Sequence, residues 1–98
     1  MDGLEGLSIE IYYDTATIPT EFGDPLTFRN AAMAVVEDAL EKAGAGEWAG
    51  AEYGAGEVNF GFDVEDFEQA EAVVRRAVAG TPYANIREIV RTDYADFA

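Results

Sequence analysis

From Leu7 to Tyr13 apolar and polar residues alternate, with Leu7, Ile9, Ile11 and Tyr13 on one side and Ser8, Glu10 and Tyr12 on the other. A period of two belongs to a half-buried strand. The period is then lost from Asp14 to Asp24, a stretch holding Pro19 and Gly23 that reads as a loop. It returns lengthened: Phe28, Ala32, Val35, Val36, Ala39, Leu40 and Ala43 share one stripe of a helix, while Arg29, Asn30, Met33, Glu37 and Glu41 lie mainly outside it. Asp24-Pro25 supplies an N-cap and a first helical position that needs no donor, and Gly44 supplies the stop.

Five glycines between 45 and 62 interleave with Trp48, Tyr53, Val58, Phe60 and Phe62, which predicts a hairpin with strands over about 47–53 and 57–62 joined through Gly54-Ala55-Gly56. Asp63, with Asp66 three residues on, reads as the cap of a second helix whose stripe is Phe67, Ala70, Val74, Ala77 and Val78, ended by Gly80. Thr81-Pro82 breaks the chain, and 84–91 reads as a last strand with imperfect alternation and a bulge near Arg87-Glu88. Residues 1–6 and the tail from Thr92 are expected to fray, with Tyr94 and Phe97 available to dock.

The order strand, helix, strand, strand, helix, strand divides into two β-α-β halves. Ala34-Val35-Val36-Glu37-Asp38-Ala39-Leu40 matches Ala72-Val73-Val74-Arg75-Arg76-Ala77-Val78, with Phe28 and Phe67 ahead of the two blocks. Over residues 7–91 this arrangement resembles the ferredoxin-like superfold. The resemblance implies an α+β class, a βαββαβ order and a four-stranded antiparallel sheet in order 4-1-3-2 with two helices on one face. It is a resemblance of topology, so function has to be argued from particular residues. One domain accommodates residues 1–98, because a chain of this length builds one modest core and not two. The position of Glu37-Asp38 in one repeat against Arg75-Arg76 in the other suggests electrostatic matching between the helices.

Charge changes the picture more than any motif. The net charge is −14, and residues 1–71 hold 17 acids against Arg29 and Lys42, whereas 72–98 hold Arg75, Arg76, Arg87 and Arg91 against three acids. Such a field repels phosphate, which argues against nucleic acid and anionic membranes as partners and for a basic protein. No stretch has the apolar length of a membrane span and the start of the chain lacks a signal-peptide pattern, which leads to an expected cytoplasmic location. Twelve Glu and eight Asp beside a single Lys are equally the composition of a protein adapted to a saline interior.

Several chemistries lack their parts. With no His and no Cys, imidazole bases, Ser-His-Asp triads, thiolate nucleophiles and His or Cys metal sites are excluded. Phosphate-binding and dinucleotide fingerprints are absent as well, so no cofactor and no catalytic residue is assigned. Carboxylates are the one abundant reactive group, and Glu10 with Glu57 on adjacent central strands is the pair an acid/base enzyme would use. Glu65, Asp66 and Glu68 cluster at the second helix start, but their spacing is not a calcium loop and the helix dipole explains them better than a metal.

Binding surfaces are better supplied. The hairpin combines Trp48, Glu52, Tyr53 and Glu57 on an expected edge strand, where another strand can pair or Trp48 can anchor an interface. The long 14–24 loop carries Ile18 and Phe22, which either tuck under the helix or recognise a ligand. The uncovered sheet face offers Tyr12 among Ser8, Glu10, Glu57, Asn59 and Gly61, a poor platform for stacking bases, with Arg87 placed to neutralise Glu10. These features favour a protein-interaction or regulatory module, of the inhibitor or immunity type, binding a basic partner. The alternatives are a small-molecule-sensing homodimer with a ligand at the 14–24 loop and a carboxylate-based enzyme.

Overall fold

Strand β1, Leu7–Asp14, lies at the centre of a four-stranded antiparallel sheet because both its edges find a partner. The structure, a computed structural model, describes residues 7–93 apart from the side chains of Glu52 and Tyr53. The expected fraying of residues 1–6 and docking of Tyr94 and Phe97 lie outside the described residues. The remaining elements are α1 (Pro25–Ala43), β2 (Glu47–Gly54), β3 (Glu57–Val64), α2 (Phe67–Val78) and β4 (Glu88–Asp93). The strand order β2-β3-β1-β4 is the expected order, and the layout is ferredoxin-like.

One face of the sheet is buried by the two helices. Ile9, Ile11 and Tyr13 of β1 stand beside Val58, Phe60, Phe62 and Val64 of β3. Over them pack Phe28, Ala32, Val36 and Leu40, which recur every fourth residue along α1, and Ala70, Val73, Val74 and Val78 of α2. Ala43 is exposed at the end of its expected stripe, whereas Met33, expected mainly outside it, packs against the core. α1 starts as read: the Asp24 carboxylate accepts from the Thr27 amide at 2.8 Å, and Pro25 follows. Gly44 closes it in the left-handed region at φ 64°, a backbone that suits glycine.

The hairpin turn is tighter than three glycine-rich residues would require. Gly54 is still paired with Glu57, so the loop is Ala55-Gly56 alone, with positive φ at both positions, 53° and 81°. That is the requirement of a type I′ turn, which twists the same way as the strands it joins. Ala55 meets it with a Cβ that disfavours the conformation.

Three boundaries differ from the sequence reading, each because pairing outlasts local signals. Asp63 is not the helix cap: β3 runs on to Val64, which continues the buried alternation opposite Leu7, and Asp66 caps α2 by accepting from the Gln69 amide at 3.0 Å. The last strand is Glu88–Asp93 and not 84–91, since residues 81–86 are held in turns by Thr81 Oγ1 donating to Val78 O at 2.6 Å and Ala84 N donating to Thr81 O at 3.2 Å. Thr92 is therefore part of the sheet. The expected bulge at Arg87-Glu88 is absent, as β4 pairs with β1 in unbroken register, and the irregularity falls instead between Trp48 and Gly50 of β2.

The 14–24 connection is built from two 3₁₀ turns, Thr15–Thr17 and Thr20–Phe22. Asp14 accepts from the Ala16 amide at 2.9 Å, and Thr15 donates from both its amide and its hydroxyl to Gly56 O, which ties the loop to the hairpin turn. Its Phe22 packs edge-on to Phe28 at 5.1 Å between ring centroids, and Phe28 meets Tyr13 edge-on at 5.0 Å and Tyr83 at 5.5 Å. Tyr13 Oη donates to Tyr83 O at 2.7 Å, closing the cluster around the residues that lead into β4.

Two outcomes follow for stability. Ala55→Asn, which fits the left-handed region better, is expected to raise unfolding stability by about 0.5–1 kcal/mol in urea titrations, with Ala55→Gly at least neutral. Burial first, with Tyr83 nearby, pushes the Tyr13 phenol well above its ordinary value. The unfolded chain ionises this phenol near pH 10, so above that pH the native state binds more protons and stability falls as pH rises. Tyr13→Phe is expected to cost about 1 kcal/mol at neutral pH, through the lost hydrogen bond, and to lessen the fall in stability as pH rises above about 10.

Candidate functional site

The sheet face away from the helices carries a connected polar group where β1 ends. Register places Tyr12 opposite Asn59 on one side and Glu88 on the other. Tyr12 Oη donates to Glu10 Oε1 at 3.1 Å, and the Arg87 guanidinium lies over the Tyr12 ring, 5.6 Å from its centroid. Arg87 pairs with Glu57 and reaches Glu88 at 3.5 Å. The Glu57 hydrogen bond is the main reason its guanidinium is held above its ordinary value. Arg87 therefore neutralises Glu57, not Glu10 as the sequence suggested, because its amide is fixed on Tyr12 O at 2.8 Å one step before β4 begins.

The same register separates the two carboxylates an acid/base pair would have needed. Glu57 stands opposite Asp14 and Glu10 opposite Gly61, four residues apart along the strands, or roughly 13 Å. They do not converge on one substrate atom. Ser8 lies farther along this face, opposite Asp63 and Thr92, fully buried, and its hydroxyl has no hydrogen-bond partner among the described residues.

A second region forms at the opposite end of the sheet from the 14–24 loop, where α1 ends, β2 begins, β3 ends and α2 starts. An open groove of about 1150 Å³ runs there, lined by Trp48 and the exposed carboxylates of Glu41, Glu47, Asp63, Glu65 and Asp66. Gly46 shapes it. A Cβ at this position would sit 3.0 Å from Val64 Cγ1 and 3.2 Å from Asp63 O, so any larger residue would have to push β3 back where the turn from α1 crosses it. Trp48, opposite Phe62 and therefore on the helix side, is 49% exposed, and its indole N–H points at Met33 Sδ of α1 at 3.1 Å.

The structure thus divides the residues that the sequence grouped. Glu10, Tyr12 and Glu57 meet on the open face around Arg87, while Trp48 lies on the other side of the sheet in the groove. The backbones of Glu52 and Tyr53 stand in β2 opposite Asn59 and Val58, and their side chains lie outside the described residues. Ile18 and Phe22 pack against the core at the far end, the first of the two roles considered for them. Glu41 and Asp63 of the groove, and Met33 beside Trp48, were missed as its companions because they come from two other elements, α1 and β3. The cue was indirect: Gly44-Ala45-Gly46 allows a sharp return of the chain directly before Glu47-Trp48.

Electrostatic matching between the helices is not the arrangement found. Asp38 pairs with Lys42 at 3.2 Å and Glu71 with Arg75 at 3.0 Å, each within its own helix at i,i+4. At the start of α2, Asp66 serves as the cap, and among the described residues no group of three acids is placed to hold a metal ion. No described helix is long and apolar enough to cross a membrane. Comparison with protein-family models, with curated proteins and with solved structures finds no match to this chain.

The buried Ser8 hydroxyl gives a direct test. Ser8→Ala removes a buried polar group that lacks a partner among the described residues, so it is expected to leave the protein as stable or to stabilise it by about 1 kcal/mol in chemical denaturation.

Proposed function

We propose that this chain is a non-catalytic interaction module, of inhibitor, immunity or other regulatory type, that engages a basic surface of a partner protein. The observation that carries the reading is the open groove, where carboxylates from α1, β2, β3, the β3–α2 turn and the α2 cap share one concave surface. Exposed like charges on one surface raise the local potential and draw cationic surfaces at long range, and their effect on association rate exceeds their effect on fold stability. The net charge of −14 extends this attraction over most of the molecule. A cytoplasmic setting belongs to the same reading, in which the absence of Cys is no handicap.

The charge has a competing explanation in adaptation to salt, and one pair of measurements separates the two. Binding of a basic protein captured at about 50 mM salt is expected to weaken steeply by about 300 mM, as the screening length shortens from roughly 14 Å to below 6 Å. The fold itself, followed by circular dichroism, is expected to persist at low salt. Unfolding on dialysis into low salt, or capture of acidic proteins only, would defeat the proposal.

A further inference from the structure

Among the described residues two aromatic rings are capped by arginine. Arg87 lies over Tyr12 while its guanidinium pairs with Glu57 and approaches Glu88, and Arg91 lies over Phe67 with 5.9 Å to the ring centroid. The Tyr12 arrangement is complete: a ring, flanking carboxylates and the planar cation that satisfies both. Trp48 has the first two parts without the third. Among the described residues it is one of two large apolar side chains left exposed and no cation lies over its ring, and it shares its groove with Glu41, Glu47, Asp63 and Glu65. Its N–H is directed to Met33 Sδ, so what it offers a newcomer is the ring surface and not a donor. The other exposed apolar residue, Leu26, lies at the start of α1 and has no π-face to offer a cation.

We propose that the groove is a docking site for an arginine of a partner protein, with the guanidinium stacked on Trp48 and its N–H groups donating to the groove carboxylates. The proposal rests on the acidic-module reading and narrows it to one locus and one side chain. Arginine is favoured over lysine because its plane lies flat on an indole while its edge donors reach carboxylates, and because a guanidinium is more weakly hydrated than an ammonium. Tryptophan is the strongest of the aromatic partners for a cation and is frequent among residues that dominate interfaces. The irregular register between Trp48 and Gly50 breaks the β2–β3 ladder beside the ring, and such an irregularity twists an edge strand out of regular pairing geometry, so side-chain docking suits this part of the edge better than addition of a full strand.

The chain has one tryptophan, so its fluorescence reports on this site alone. The probes are nona-arginine and nona-lysine peptides of equal length, titrated at low salt with emission and, using labelled peptide, anisotropy. Nona-arginine is expected to change Trp48 emission and to bind about two- to five-fold tighter than nona-lysine, the range of an exposed cation–π contact. Trp48→Ala should erase that preference and Trp48→Phe should keep part of it, which guards against a folding defect in the first variant. Glu47→Gln should weaken nona-arginine more than Glu21→Gln, the same charge change at the far end of the molecule. Equal affinity for the two peptides with unchanged emission would overturn the docking site while leaving the cationic-partner reading standing. Failure of both peptides to bind at low salt would overturn both.

Discussion

The packing of Phe28 against Tyr13, Phe22 and Tyr83 is the contact on which the other parts of this structure depend. It joins the central strand, the 14–24 loop and the first helix, which follow one another along the chain, to the distant segment leading to β4. The geometry is mostly edge-to-face, which adds a directional preference to the burial of large apolar area. The Tyr13 hydroxyl then holds Tyr83 O, so a polar atom that would oppose burial instead sets where the chain turns before β4. Arg87 follows from this placement: the turns at 81–86 bring its amide to Tyr12 O and its side chain across the open face.

That cluster also determines what is left for function. The loop's aromatic residue is committed to the core, and with it the case for the 14–24 loop as a recognition element weakens. At the other end of the sheet no comparable cluster forms among the described residues. Ala45 and Val64 close the core there with small side chains, and the tight turn at Gly46 leaves a groove beside Trp48 where the aromatic end is filled. A fold with two helices on one face of a sheet has to close both ends. This chain closes one with rings, and at the other its described residues line an acidic groove.

Much of the architecture was legible in the sequence because its cues are local and periodic. The alternation in Leu7–Tyr13 and Val58–Phe62, the cap at Asp24-Pro25 and the stop at Gly44 each report a backbone preference that tertiary packing did not oppose. The errors occurred where two local cues competed. Asp63 has the chemistry of a cap, but Val64 extends the buried side of β3 by one more pair, and satisfying strand hydrogen bonds together with burial outweighs an early helix start. At 84–91, Ile86 and Ile89 gave the pattern of a strand, yet Tyr83 is drawn toward Phe28 and delays pairing until Glu88.

The candidate site was legible only in part, for a reason that periodicity cannot repair. Trp48, Glu47 and Glu57 are close in sequence, and a hairpin suggests that they act together, yet the pleat and the irregular register send Trp48 to the helix side while Glu57 meets Arg87 on the open face. The companions that give Trp48 its chemical character come from the end of α1, the end of β3 and the start of α2, which meet only after the sheet has formed. Net charge therefore said that acids would be abundant and nothing about which would share a surface. The informative contrast is between two rings: Tyr12 is supplied with an arginine from within the chain, whereas over Trp48, also in an acidic setting, no cation lies among the described residues. That difference is what narrows the proposed partner from a general negative field to one place and one kind of side chain.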